Sequence, residues 1–151
     1  MRIEQEFRGA FRTDDPARAL YAEGAGIFRI IPAAVAVPAD RDDLVALVRW
    51  AGESGTALVP RGAGSGLPGG NVGAGVVVDL THGFRTAPKI DAEARTARAG
   101  ASITCGELNS AAAAHGLRLP PDPSSGNYCT IGGMVATNAA GARTVKYGAM
   151  R

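Results

Sequence analysis

No stretch of this sequence approaches the roughly 20 consecutive apolar residues that a membrane-spanning helix needs. The opening Met1-Arg-Ile-Glu-Gln-Glu6 also lacks the apolar centre of a secretory leader. Neither charge sign dominates: 16 basic and 14 acidic side chains leave +2, too little for a nucleic-acid footprint or a polybasic membrane patch. Aromatic residues make up only 5%, which excludes a base-stacking platform. Cysteine and histidine are scarce, with two of each. Cys105 and Cys129 lie 24 positions apart, and His82 and His115 are isolated, so no metal-ligand spacing and no nucleophile–base pair is present. What remains is a 151-residue, 46% hydrophobic chain, enough for a packed core and expected in the cytoplasm.

What the sequence has in abundance is glycine, concentrated in one place. Residues 60–75, Pro-Arg-Gly-Ala-Gly-Ser-Gly-Leu-Pro-Gly-Gly-Asn-Val-Gly-Ala-Gly, hold seven glycines in sixteen positions. Such a backbone reaches positive φ freely and leaves nothing between its N–H groups and an approaching anion. Gly64-Ser-Gly66-Leu-Pro-Gly69 matches G-x-G-x-x-G, but the dinucleotide fingerprint requires a helix to open there, and Pro68, Gly70, Gly73 and Gly75 forbid one. The P-loop pattern fails too, since no Gly-Lys-Ser/Thr follows. The stretch reads as strand, glycine loop and strand, a nest of amides suited to a phosphate, with Arg61 adding charge at its entrance. The alternative is a flexible linker, which the apolar strands on either side disfavour.

In chain order, residues 1–29 read as an N-terminal arm with a short helix near Asp14-Asp15-Pro16, and residues 30–151 as the main domain. The run Ile30–Pro38 fits a strand. Asp40 caps a helix over residues 41–54 that places Leu44, Val45, Leu47, Val48 and Ala51 on one face, with Gly55 as its stop. Residues 56–60 form the next strand, parallel to the first in a β-α-β unit, so the glycine loop falls beyond a strand's carboxyl end, where open α/β sheets bind ligands. A strand at residues 76–80, a hairpin at 89–99 and a helix from a Ser102 or Thr104 cap to Ala114, with Glu107 completing a capping box, follow.

Leu119-Pro-Pro-Asp-Pro-Ser-Ser-Gly-Asn127 cannot be regular structure, because its prolines remove donors and restrict their neighbours. After it comes the small-residue run Cys129-Thr-Ile-Gly-Gly-Met-Val-Ala-Thr-Asn-Ala-Ala-Gly141. Alone, this is either a ligand-lining segment or a helix packed closely on a neighbour.

Together, Pro60-Arg-Gly-Ala-Gly-Ser-Gly, Pro121-Asp-Pro-Ser-Ser and Cys129-Thr-Ile-Gly-Gly-Met-Val-Ala-Thr-Asn-Ala-Ala-Gly-Ala-Arg-Thr-Val-Lys-Tyr-Gly148 resemble the FAD-binding (PCMH-type) domain of the vanillyl-alcohol oxidase and p-cresol methylhydroxylase superfamily. Within it they are most similar to the flavin subunits of glycolate oxidase and D-lactate dehydrogenase, and the resemblance runs from about residue 13 to residue 151 in the same order. It implies an α+β fold of two subdomains: a small β-α-β sheet with helices, then the start of a mainly antiparallel sheet. It also implies that Pro60, Arg61, Gly62, Ala63, Gly64, Ser65 and Gly66 wrap the FAD pyrophosphate. Asp122, Ser124, Thr130, Gly132, Gly133, Thr137, Asn138 and Gly141 then follow the cofactor toward the flavin.

Some members bind FAD covalently through a histidine where this chain has Ser65, so the resemblance implies noncovalent FAD. It further implies a 2-hydroxy-acid substrate of glycolate or D-lactate type, with no nucleic-acid partner, and a separate electron acceptor. An iron–sulfur cluster would belong only to a further C-terminal domain or a partner. Family domains continue past the Lys146-Tyr147-Gly148 motif, so the chain is expected to be an N-terminal piece whose catalytic residues lie elsewhere. The competing readings are an FAD-holding or electron-passing module without its own turnover, and, more distantly, a nucleotide-sugar reductase of the same fold.

Overall fold

The structure is a computed structural model that describes Ile3 and residues 7–150; the remainder of the Met1–Glu6 stretch lies outside the described residues. The chain divides into two compact units, Met1–Gly83 and Phe84–Arg151.

The first unit is built on a four-stranded sheet. Its elements are β1 (Ala10–Arg12), α1 (Asp15–Leu20), β2 (Ala34–Val37), α2 (Arg41–Ser54), β3 (Leu58–Arg61) and β4 (Val76–Asp79). The spatial order is β1-β2-β4-β3, with β4 parallel to both β2 and β3 and β1 antiparallel to β2. β2 and β3 are thus parallel, as the β-α-β reading requires, but β4 sits between them. Its sequence, Val-Val-Val-Asp, is buried at every position, the pattern of a strand covered on both faces. Pro60, which cannot donate to a ladder, sits on β3 at the sheet edge, where a missing N–H costs least.

The segment expected as an arm contributes more than a lead-in. It supplies β1, and Ile3 and Phe7 are buried in the core with Ala34, Ala36, Leu47, Val76 and Val78. Phe7, Phe11 and Trp50 stack edge to face at centroid distances of 6.3 and 5.8 Å.

α2 begins at the expected cap, with Asp40 accepting from the N–H groups of Asp42 and Asp43, and ends at Gly55 with φ 67°. Its buried face differs from the expected one. Leu47 and Ala51 are buried and Leu44 packs on the core, but Val45 and Val48 are 38% and 54% exposed, and Asp43 is only 1% exposed. The helix is turned so that Asp43 points inward, where its carboxylate accepts from the N–H groups of Arg8 at 3.0 Å, Gly9 at 2.8 Å and Ala39 at 2.9 Å. Three backbone donors outrank the burial of two valines. Asp43 therefore fastens the N-terminal segment to the first turn of α2.

The second unit contains the hairpin β5 (Lys89–Asp91) and β6 (Thr96–Arg98), then α3 (Cys105–Ala113), α4 (Ile131–Ala136) and α5 (Thr144–Tyr147). Asp91 accepts from the N–H of Ala94 to close the hairpin turn, and Arg95 takes φ 53°. All of β6 is exposed. Thr104, not Ser102, caps α3. The reciprocal bonds with Glu107 form the expected capping box, and Glu107 also pairs with Arg85. Cys105, Cys129 and Met134 form a small core joined by Leu119, Ile131, Ala139 and Met150. Both cysteines are free, and burial pushes the Cys105 thiol above its ordinary range.

Asp43 generates a stability prediction. Burial raises its carboxyl, but the three N–H donors and the charge of Arg8 outweigh burial and hold it below the usual carboxylate range. A depressed folded-state value adds stability above the unfolded value of about 3.9 and loses it as pH falls through the folded one. Asp43→Ala leaves buried N–H groups unpaired and should cost about 2–4 kcal/mol in urea denaturation of the intact protein. Asp43→Asn should flatten the loss of stability below about pH 4.

Candidate cofactor-binding site

The glycine loop leaves β3 at the carboxyl end of the sheet, as expected. Two of its carbonyls are tied down: the N–H of Ala25 donates to Gly64 O at 2.9 Å, and Asn71 Nδ2 donates to Gly66 O at 3.1 Å. Its N–H groups are not. Among the described residues, no N–H of residues 62–67 donates a hydrogen bond to the protein. Six consecutive N–H groups are thus without a protein partner and are available to an acceptor such as an anion. Gly64 is buried at φ 70°, a backbone conformation that favours glycine, and a Cβ there would stand 2.6 Å from Arg61 Nη2 and displace the guanidinium.

Arg61 does not reach outward as the loop's entrance charge. Its Nη1 donates to the carbonyls of Tyr21 and Asn71, both at 3.4 Å, and its guanidinium lies 5.3 Å from the centroid of the Tyr21 ring. The Tyr21 hydroxyl in turn donates to Asp79 Oδ2 at 2.5 Å, while Asp79 Oδ1 accepts from the N–H and hydroxyl of Thr81. Burial first, then the bond to Asp79 and its charge, push the Tyr21 phenol up to about 12, so it stays protonated and donating at neutral pH. Tyr21, Asn71 and Asp79 were not among the residues expected at the site. Asp79 carried a signal nonetheless, since an acidic residue closing a buried Val-Val-Val strand must have a partner.

In the second unit the predicted residues divide by what their groups already do. Thr130 is buried and caps α4 by accepting from the N–H of Gly133. The N–H of Ile131 donates to Ile103 O and that of Gly132 to Ala101 O, each at 2.8 Å. The amides of Gly132 and Gly133 are therefore engaged within the protein, and the small residues here let α4 pack closely on residues 101–103, the second of the two readings open from sequence. Thr137 is exposed and its hydroxyl donates back to Gly133 O; Asn138 is exposed at φ 49°.

Asp122, Ser124 and Gly141 instead line an open cleft of about 620 Å³ with Pro123, Gly126, Asn127, Ala140 and Ala142. Asp122 pairs with Arg118 at 3.3 Å and Arg143 at 3.2 Å, which fixes the cleft wall. At Gly141 a Cβ would stand 1.9 Å from Asp122 O, so only glycine lets the two stretches of chain in the wall meet. Asn127, Ala140 and Ala142 are cleft residues that the motif reading did not single out. Among the described residues no cluster of metal-ligating side chains occurs, and no helix is long and apolar enough to cross a membrane.

Residues 32–151 match the family model described as an FAD binding domain. The chain is 34% identical over 148 residues to the D-2-hydroxyglutarate dehydrogenase of Pseudomonas putida, covering 96% of this chain and 15% of that one. It is 35% identical over 142 residues to the D-lactate dehydrogenase of Archaeoglobus fulgidus, covering 94% of this chain and 31% of the relative. The glycolate oxidase subunit GlcD of Escherichia coli is 33% identical over 138 residues, 90% of this chain and 28% of its own. The chain thus spans less than a third of each relative's length. Among solved structures, 6-hydroxy-D-nicotine oxidase from Arthrobacter nicotinovorans superposes with a TM-score of 0.72 at 25% identity, over 95% of this chain and 32% of that one. The loop beyond β3, the α+β fold and the match over residues 32–151 agree: this chain belongs to the FAD-binding domain family of PCMH-type flavoproteins.

Proposed function

We propose that this chain holds noncovalent FAD within a flavin-dependent oxidoreductase that oxidises a 2-hydroxy acid. The observation that carries the reading is the run of unpaired N–H groups at residues 62–67. A pyrophosphate offers several anionic oxygens close together, and a row of fixed backbone donors meets them with no further ordering of side chains. Gly64 lets the backbone close on that group, and the hydrogen bonds from Ala25 and Asn71 keep the donors aimed. In the second unit, Asp122, Ser124 and Gly141 would line the path of the cofactor. Thr130, Gly132 and Gly133 would act by holding α4 in place, and Thr137 and Asn138 would offer exposed side chains at its end.

When bound, FAD supplies the acceptor for the hydride that leaves the carbon bearing the 2-hydroxyl. The 2-hydroxy-acid substrate is supported by the names of the relatives, which are dehydrogenases of D-lactate and D-2-hydroxyglutarate and a subunit of glycolate oxidase. Noncovalent attachment is supported by Ser65 in the loop.

Full-length protein should quench FAD fluorescence on titration and carry flavin absorbance through desalting. Acid precipitation should release that flavin to the supernatant; flavin retained in the pellet would contradict noncovalent binding.

Gly64→Val puts a β-branched residue at positive φ, costing about 1–2 kcal/mol, and drives its side chain into Arg61. FAD affinity should fall at least about tenfold, a loss of ~1.4 kcal/mol, with the far-UV circular dichroism retained. Unchanged affinity would remove the loop from the site.

Dye reduction by the full-length holoprotein should respond to at least one of D-lactate, glycolate and D-2-hydroxyglutarate. Silence toward all three, with FAD bound, would favour a module without its own turnover.

A further inference from the structure

Arg61 is the only charged side chain in residues 60–75, and its guanidinium is engaged by the protein itself. Two carbonyls, those of Tyr21 and Asn71, accept from it at 3.4 Å, and the Tyr21 ring stacks beneath it with 5.3 Å to the centroid. A Cβ on Gly64 would stand 2.6 Å from its Nη2. The guanidinium therefore packs against the turn at Gly64, on the side where a Cβ would project.

Tyr21 is itself held at both ends. Its hydroxyl donates to Asp79 on the central strand β4, whose other carboxylate oxygen is held by Thr81. A rigid line runs from β4 through Asp79 and Tyr21 to Arg61 and Gly64.

We propose that Tyr21 is a positioning residue of the pyrophosphate loop: it seats the Arg61 guanidinium behind Gly64, and Arg61 acts on the ligand through the loop's shape and not by touching the phosphates. The inference rests on the FAD reading above and adds to it a residue 40 positions upstream of the loop, outside all the motifs. A planar, delocalised cation suits this place. It stacks on a ring and donates to two carbonyls at once, which the single ammonium of lysine cannot do in the same geometry.

The test is a double-mutant cycle read on FAD affinity in the full-length protein. If Arg61 works from the seat that Tyr21 provides, removing either residue removes the same function. Arg61→Gln and Tyr21→Leu should each weaken FAD about tenfold, the size of one desolvated cation–π contact, and the double variant should bind no worse than Arg61→Gln alone. Tyr21→Phe keeps the ring and loses only the bond to Asp79, so it should recover most of the affinity lost in Tyr21→Leu. Arg61→Lys should resemble Arg61→Gln, whereas an arginine that touched phosphate as a charge would be largely rescued by lysine.

Additive losses, wild-type affinity in Tyr21→Leu, or rescue by Arg61→Lys would each overturn the positioning role while leaving the cofactor reading intact. Absence of FAD binding by the wild-type protein would overturn the cofactor reading and this role with it. Far-UV circular dichroism on each variant separates loss of the seat from loss of the fold.

Discussion

Six adjacent backbone donors without partners are a conformation that a glycine-rich chain abandons unless something restrains it. In this protein the restraint comes from the carbonyl side. Ala25 donates to Gly64 O and Asn71 to Gly66 O, and Arg61 packs against Gly64, so the peptide planes that carry the Ser65 and Leu67 N–H groups are held. Glycine supplies the freedom to adopt the shape, and the neighbours remove that freedom afterwards. The order matters physically, since a loop that had to be ordered by its ligand would spend binding energy on conformational entropy.

The rest of the first unit serves that restraint. β4 lies at the centre of the parallel strands with every residue buried, and it carries Asp79 to the same end of the sheet from which β3 releases the loop. The segment ahead of the sheet wraps back to bring Tyr21 and Ala25 against the loop, and it is anchored at its start by the buried Asp43 carboxylate. Two buried acids thus do comparable work: each collects donors that would otherwise go unpaired, and each ties the N-terminal segment to an element of regular structure.

The second unit uses small residues differently. Gly132 and Gly133 bring α4 close to the backbone of residues 101–103 and leave few free donors, while Gly141 allows two stretches of chain to meet at the wall of a polar cleft. Two stretches built from glycine and other small residues therefore have opposite hydrogen-bonding states. One has its amides free because proline and glycine forbid a helix, and the other has them engaged because Thr130 starts one.

Much was legible from the order of residues. The Asp40 cap and Gly55 stop of α2, the Thr104–Glu107 box of α3, the hairpin at residues 89–99 and the loop beyond β3 all follow from contacts a few residues apart, and local chemistry is enough to read them. The three glycine- and proline-rich motifs were likewise enough to indicate the family. What only the tertiary structure decided were the pairings across long separations: β4 between β2 and β3, Asp43 turned inward at the expense of Val48, and Tyr21 stacked under Arg61 and bonded to Asp79, 58 residues away. A carboxylate, a phenol and a guanidinium read alike in sequence whether solvated or buried. Their roles here were set by which backbone donors and carbonyls the folded sheet left without any other partner.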